Sequence, residues 1–342
     1  MKTLSDRDNL RGPVLRSVSR SFYLSLRILP RPLRDPLSLA YLLARATDTI
    51  ADTPEPPAEL RVEALRDLAV AIQGTGARET AGRLRDSFSA LQSDEAERAL
   101  IEQLPALLEW LDGLEAGDRA EVRSVLDKIT RGQMLDLERF GSSTSTSTST
   151  SIQALPTAAD LDEYTYIVAG CVGEFWTRIC FAHVKNFSER SEPEMRELGV
   201  RYGQGLQLIN ILRDAGTDLR NGRCYFPADE LRSLGMTPEE ILRNAARVAP
   251  VVEKWREKAE HGMEAGMDYA CAIRNRRIRF ATALPALIGA RTLGLLRDAG
   301  AEVFERRLKV PRAEIRKIIA STALASPRSL HERFRKLQGA AV

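Results

Sequence analysis

Cysteine and histidine are scarce in this sequence of 342 residues, which contains four cysteines and three histidines. Cys171, Cys180, Cys224 and Cys271 form no C-x-x-C pair, and the histidines are equally scattered. Structural zinc sites use clustered Cys and His ligands, so a zinc site is not expected. Free thiols are typical of a reducing cytosol, and we therefore expect a cytoplasmic protein.

An excess of one charge is also missing, because the formal net charge is only +3. That value favours neither a nucleic-acid partner nor a strongly basic membrane protein. No uncharged apolar run approaches the roughly 20 residues that span a bilayer. The first residues, Met1–Asp8, are too charged for a secretory signal. We expect no transmembrane segment.

Helical periodicity is abundant, whereas strand signals are few. Apolar residues make up 44% of the chain, enough for a sizeable core. Amphipathic stretches such as Ala58–Ile72 and Glu95–Leu114 predict helices. An alternating Ser/Thr run, Ser142–Ser151, predicts a surface loop at about 141–156 rather than a linker. One domain over 1–342 is therefore expected.

Two aspartate pairs, each spaced four residues apart, carry the clearest chemical signal. They are Asp48 with Asp52 and Asp214 with Asp218. Carboxylates at this spacing share one helix face and repel each other, so each pair predicts a bound cation. Oxygen ligands suit Mg²⁺, which commonly bridges carboxylates and substrate phosphates. The pairs predict magnesium-dependent chemistry on a diphosphate, whereas a single pair is usually solvated surface.

Polar companions share the face of the first pair. On a helix predicted at Ser38–Asp52, Tyr41 and Arg45 fall with the two aspartates in a sector of roughly 60°. Apolar residues cover the other directions, which predicts a largely buried helix. A buried stripe of this kind is costly unless metal and phosphate act as partners.

The second pair has companions of the same kind. Gln207 and Asn210 share a sector of roughly 80° with its aspartates. Asn210 offers a neutral oxygen as a further metal ligand or water holder. Arg213 and Arg223 flank the face and can hold phosphate oxygens bidentately.

Four blocks of sequence resemble the squalene/phytoene synthase family. They are Ser19-Arg20-Ser21-Phe22, the segment 41–52, the segment 164–173 and the segment 207–225. The resemblance implies an all-α isoprenoid synthase fold, with helices around a central cavity and the two aspartate motifs at its mouth. It also implies a monomer that joins two prenyl diphosphates head to head (1′-1), with Mg²⁺ held by the four aspartates.

The resemblance also implies roles for other residues. Tyr164 either orients the departing group or is a buried structural tyrosine, and Arg45 belongs to the catalytic stripe. The basic residues Arg307, Lys309 and Arg312 bind the phosphate of NADPH or of the substrate, or form a solvated or membrane-facing edge. Residues expected to contact substrate are Ser19, Arg20, Ser21, Phe22, Tyr41, Val168, Val172, Gln207, Arg213, Arg223 and Tyr225.

The leading expectation is squalene formation from two farnesyl diphosphates through presqualene diphosphate, with Mg²⁺ and NADPH. Squalene synthases often carry a catalytic tyrosine where this chain has Ile167, so a dehydrosqualene, phytoene or presqualene diphosphate synthase is the alternative. A non-catalytic assembly or binding protein is more remote, because such relatives generally lose aspartates. A terpene cyclase is equally remote. Release of an apolar product suggests peripheral contact with a membrane.

Overall fold

The computed structural model of the protein describes residues 6–19, 22–141 and 152–339. These residues form two compact units. Unit 1 contains the residues up to 141 and Arg178–His183, and unit 2 contains 152–177 and 184–339. The Ser/Thr run at 142–151 lies outside the described residues, so most of the predicted surface loop does as well. The expectation of one domain stays a prediction.

The helices of unit 1 follow one another with short connections, and a π-helical turn at Leu10–Val14 joins the first two. They are α1 (Asp6–Asn9), α2 (Leu15–Ser19), α3 (Phe22–Ile28), α4 (Arg31–Asp52), α5 (Ala58–Ile72), α6 (Ala77–Phe88), α7 (Glu95–Glu102), α8 (Leu104–Asp112) and α9 (Ala116–Phe140).

Unit 2 is also helical, apart from a parallel pair of two-residue strands, β1 (Gln153–Ala154) and β2 (Arg223–Cys224). A π-helical turn at Tyr166–Gly170 precedes α11, whose last residues from Arg178 belong to unit 1. Short 3₁₀ turns lie at Pro238–Glu240 and Gly300–Phe304. The helices are α10 (Ala158–Thr165), α11 (Cys171–His183), α12 (Glu192–Arg220), α13 (Ala228–Ser233), α14 (Ala249–Ala272), α15 (Arg276–Ala299), α16 (Arg312–Thr322) and α17 (Pro327–Gln338).

Helix α4 begins seven residues before the predicted start at Ser38. The prolines at 32 and 36 lie inside it rather than ahead of it. Pro32 costs little, because the first backbone N–H groups have no partner within the helix, whereas Pro36 lies inside the helix and removes one intrahelical hydrogen bond. Burial of Leu33 and Leu37 favours the longer helix. The end at Asp52 agrees with the prediction, and Arg61 donates to the carbonyl of Ala51 at 2.7 Å there.

The two amphipathic predictions had different outcomes. Helix α5 spans Ala58–Ile72, as predicted. The amphipathic stretch Glu95–Leu114 forms two helices, α7 and α8, with a break at Gln103. Pro105 has no N–H to continue the first helix, and it occupies the second position of the next helix, where proline is tolerated.

Helix α12 is the central element of unit 2 and packs against α14, α15 and the π-helical turn. Glycines allow the backbones to come close. A Cβ atom on Gly203 would lie 2.2 Å from the carbonyl oxygen of Ala169, and one on Gly205 would lie 2.7 Å from Cα of Gly262. Both distances are too short for any side chain. The aspartate pair of unit 2 therefore lies on a helix fixed by backbone-to-backbone contacts.

Candidate functional site

The polar stripe on α4 contains an ion-pair network. Arg45 is paired with Asp48 one turn along the helix and with Glu97 of α7. The Tyr41 hydroxyl donates to the carbonyl oxygen of Val18 at 3.2 Å. The expectation of a buried stripe is only partly correct, because Asp52 is exposed and 42% of the Asp48 side chain is accessible. Water therefore reaches the carboxylates while the rest of α4 packs into the core.

The electrostatics of this stripe favour a cation. The pKa of Asp48 is raised to about 6, first by desolvation and then by the like charge of Asp52, although Arg45 opposes the shift. Burial would lower the pKa of Arg45, but Asp48 and Glu97 raise it. A divalent cation near the two aspartates would remove their repulsion, so this oxygen donor set fits Mg²⁺.

A cavity of about 360 Å³ lies next to the stripe within unit 1. Ser19, Tyr41 and Arg45, all predicted from the sequence, line it together with Glu97. The Ser19 hydroxyl donates to the carbonyl of Leu15 in its own helix. Arg20, Ser21 and the side chain of Phe22 lie outside the described residues. The cavity thus brings together three of the predicted residues.

Glu97 is a member of this network that sequence reasoning missed. Asp94 caps the start of α7 by accepting from the backbone N–H of Ala96 at 2.8 Å and of Glu97 at 3.4 Å. This cap is recognisable in the sequence, but it does not reveal that Glu97 reaches Arg45, which is 52 residues away. That pairing depends on how α7 packs against α4.

On α12 the carboxylate of Asp214 is held by two arginines. Arg213 approaches through Nε at 3.1 Å and Nη2 at 2.7 Å, and Arg307 approaches at 2.6 Å and 3.0 Å. Burial raises the pKa of Asp214, but the two guanidinium groups outweigh it and the net shift is downward. The pKa values of Asp48 and Asp214 are therefore shifted in opposite directions.

The other predicted residues of α12 occupy the same helix face. The Asn210 side-chain amide donates to the side-chain oxygen Oε1 of Gln207 at 3.4 Å. Asn210 is exposed, and Asp218 is half-buried. In the described parts of the chain, no group of three or more His, Cys, Asp or Glu side chains is placed to hold a metal ion. Metal binding by these aspartates and by Asn210 therefore stays a prediction.

Two predicted tyrosines are brought together in unit 2. The rings of Tyr164 and Tyr225 stack with centroids 5.2 Å apart and planes 28° apart. Tyr225 directly follows β2, where Arg223 is aligned with Gln153 of β1. The short strand pair thus fixes the tyrosine beside α10. Catalytic contact by Tyr164 and substrate contact by Arg223 stay predictions.

The 164–173 block contains the π-helical turn, a feature often found at functional sites. Ile167 is buried at 4% exposure, whereas Val172 is 40% exposed. Val168 is half-buried, and the Tyr166 hydroxyl donates to Glu174 at 3.2 Å. Gly173 serves close helix packing, since a Cβ there would lie 1.9 Å from the carbonyl oxygen of Gly199. Ile167 therefore belongs to the packed side of this block, and Val172 belongs to its accessible side.

The three basic residues assigned to a cofactor have different surroundings. Arg307 is paired with Asp214, as described above. Lys309 and Arg312 are exposed, and Arg312 is the first residue of α16. Contact of any of them with NADPH stays a prediction. No helix in the described ranges is both long and apolar enough to cross a membrane.

Comparison with solved structures identifies the fold. The chain is similar to TcSQS in complex with the ligand BPH1237, with a TM-score of 0.74 over 97% of this chain and 90% of that chain at 20% identity. It is also similar to a dehydrosqualene synthase, with a TM-score of 0.60, 21% identity, and 93% and 95% of the two chains covered. At this identity the likeness shows the fold alone, and that fold is the all-α isoprenoid synthase fold predicted above.

The family is shown by sequence. The family model for squalene/phytoene synthase matches residues 15–314, and the chain belongs to this family. A presqualene diphosphate synthase of Rhodopseudomonas palustris is 29% identical over 70% of this chain and 71% of its own length. A bifunctional lycopene cyclase/phytoene synthase of Phaeosphaeria nodorum is 28% identical over 67% of this chain. This chain spans 35% of that longer fungal protein.

Proposed function

We propose that the protein is a prenyltransferase that condenses two farnesyl diphosphates head to head through presqualene diphosphate. The observation that carries the proposal is the pair of carboxylates, Asp48 and Asp52, on one face of α4, where desolvation and then the like charge of Asp52 raise the pKa of Asp48 to about 6. Such crowding is expected of carboxylates whose partner is a metal ion. Membership of the squalene/phytoene synthase family supports it.

The proposed chemistry begins with departure of a diphosphate from an allylic carbon. Asp48 with Asp52, and Asp214 with Asp218, are the residues that would hold Mg²⁺, which would supply positive charge to stabilise the leaving group. Arg45 in unit 1 and Arg213 in unit 2 are each proposed as guanidinium donors to phosphate oxygens. Ser19 and Tyr41 line the adjacent cavity and would position the phosphate-bearing end. The double bond of the second substrate then attacks the allylic cation.

The final product depends on how the last cation is quenched. In a squalene synthase NADPH delivers a hydride, and Arg307, Lys309 and Arg312 are the basic residues proposed to bind its phosphates. One observation favours the alternative that the reaction ends without reduction. The position often held by a catalytic tyrosine is Ile167, which is buried at 4% exposure. A relative that covers 70% of this chain is named a presqualene diphosphate synthase.

The test is incubation of the purified protein with farnesyl diphosphate and Mg²⁺, with and without NADPH, followed by product analysis. Squalene formed only with NADPH would support the leading proposal. Turnover that yields presqualene diphosphate, dehydrosqualene or phytoene despite NADPH would replace it with the alternative. Asp48→Asn and Asp214→Asn should each abolish turnover in a folded protein. Asp86→Asn changes an exposed aspartate of α6 and serves as the control.

A further inference from the structure

A second cavity of unit 1, about 410 Å³ in volume, is lined by none of the predicted site residues. Four arginines line it, from the π-helical turn at Leu10–Val14, from α3 and from α4. Among the described residues of the lining, Asp35 is the one acidic side chain, so four positive charges face one negative charge. The four arginines are Arg11, Arg27, Arg31 and Arg34.

Two of these guanidinium groups have partners among the described residues, and the other two have none there. Arg11 pairs with Asp35 and lies over the ring of Trp110, 5.3 Å from its centroid. Arg34 donates to the carbonyl oxygen of Leu29 at 2.8 Å. Within the described part of the chain, Arg27 and Arg31 have neither an ion-pair partner nor a hydrogen-bond partner. A concave site lined by one sign of charge attracts counter-ions.

A serine also lines this cavity. Ser38 lies seven residues after Arg31 and four after Arg34, so the three share one face of α4. Its hydroxyl can donate a hydrogen bond to a ligand oxygen.

Apolar side chains complete the lining. Leu15 and Leu26 are 3% and 2% exposed, and both face this cavity. We propose that the cavity binds a small molecule that carries a phosphoryl group, with its apolar part against these leucines. Arginine holds phosphoryl oxygens bidentately, and the volume is within the usual range for small ligands. A solvated cluster of surface arginines would require neither the concavity nor the apolar wall formed by the two leucines.

The test is calorimetric titration of the full-length protein in EDTA with inorganic diphosphate, isopentenyl diphosphate or inorganic sulfate. Without divalent cations the proposed aspartate sites are not engaged, so this experiment is independent of the proposed prenyl transfer. We expect both diphosphates to bind better than sulfate. Tighter binding of isopentenyl diphosphate would identify an organic ligand, and equal binding would identify the free anion.

The double variant Arg27→Gln/Arg31→Gln should weaken diphosphate binding at least tenfold, because both side chains lack competing partners. The double variant Arg66→Gln/Arg78→Gln makes the same charge change at exposed positions of unit 1 and should bind as the wild type does. Circular dichroism checks that each variant is folded. The proposal is overturned if diphosphate does not bind, or if sulfate binds with equal affinity. It is also overturned if both double variants lose the same diphosphate affinity, or if only Asp48→Asn loses it.

Discussion

The carboxylate of Asp214 and the guanidinium of Arg307 form a two-pronged ion pair, although 93 residues separate them along the chain. The 3₁₀ turn at Gly300–Phe304 brings Arg307 to α12. A carbonyl oxygen of this turn, on Phe304, accepts from Arg220 Nη1 at 2.9 Å. Asp214 is therefore neutralised by two arginines, whereas Asp48, although paired with Arg45, is still repelled by Asp52.

Arg307→Gln should destabilise the protein by about 0.5–1 kcal/mol at neutral pH, since the pair is partly exposed. The pKa of Asp214 is lowered in the folded protein, so its stabilising effect is present above the unfolded pKa, near 3.8, and is lost as pH falls through the folded value. The difference between variant and wild type should shrink below pH 4. Urea unfolding at several pH values measures it. Arg306→Gln, which removes only a pair with Glu302, is the control.

Gly216→Ala should lower the stability of the folded protein more than Arg307→Gln does, because the added Cβ would lie 2.2 Å from the carbonyl oxygen of Phe304. We expect a loss of about 1–3 kcal/mol from overpacking and a rise in the pKa of Asp214 as Arg307 is displaced. Gly82→Ala in α6 meets nothing within 4 Å and should instead stabilise by about 0.5–1 kcal/mol. If both substitutions changed the temperature of thermal unfolding equally, the close contact between Gly216 and Phe304 would be contradicted.

Asp52→Asn should stabilise the metal-free protein by about 0.2–0.5 kcal/mol at pH 7.5, because it removes a like charge one turn from Asp48. The folded pKa of Asp48, about 6, exceeds its unfolded value of 3.8. The wild type therefore loses stability as pH rises from about 4 to above 6, and the variant should lose less. Unfolding in EDTA at pH 4.5 and 7.5 tests this.

Mg²⁺ should make the wild type more stable than Asp52→Asn, which reverses the order of stability expected without the metal. At pH 7.5 it should raise the melting temperature of the wild type more than that of Asp52→Asn, and at pH 5 this advantage should shrink as Asp48 becomes protonated. Thermal unfolding with and without MgCl₂ is the measurement, and NaCl at equal ionic strength is the control. A shift that is the same in both proteins would rule out the Asp48–Asp52 cation site.

Ile167→Tyr should not create a reductive synthase. Ile167 is 4% exposed, so the larger ring would overpack the 164–173 block and cost about 1–3 kcal/mol. Ile167→Leu keeps the volume and should cost less than about 1.5 kcal/mol. Thermal unfolding and product analysis with NADPH test both variants. Squalene formed by the tyrosine variant alone would show that this position controls the final step.

Sequence reasoning reached the fold and much of the chemistry because both depend on local spacing. Helical periodicity predicted α5 to the residue, and the four-residue spacing identified the aspartate face of α4. It misjudged the start of α4 because the prolines at 32 and 36 are tolerated where burial of Leu33 and Leu37 favours the helix. Local preference was overridden there by tertiary packing.

The partners of the aspartates were harder to predict. Glu97 and Arg307 reach their ion pairs over 52 and 93 residues, and no periodic pattern relates such distant positions. Arg307 was expected to bind a cofactor, and its pairing with Asp214 could not be read from the sequence. Arg307 adds to the downward pKa shift of Asp214, whereas the upward shift of Asp48 comes first from desolvation and then from Asp52.

The glycine contacts of α12 also limit how this helix can evolve. Gly199, Gly203, Gly205 and Gly216 each face backbone or side-chain atoms closer than a methyl group allows, and together they span five turns of the helix. Gly199 and Gly203 lie in the same helical sector as Asp214, whereas Gly205 and Gly216 lie on the opposite side of the helix. A larger residue at any of these four positions would therefore displace the helix axis and, with it, the carboxylate of Asp214.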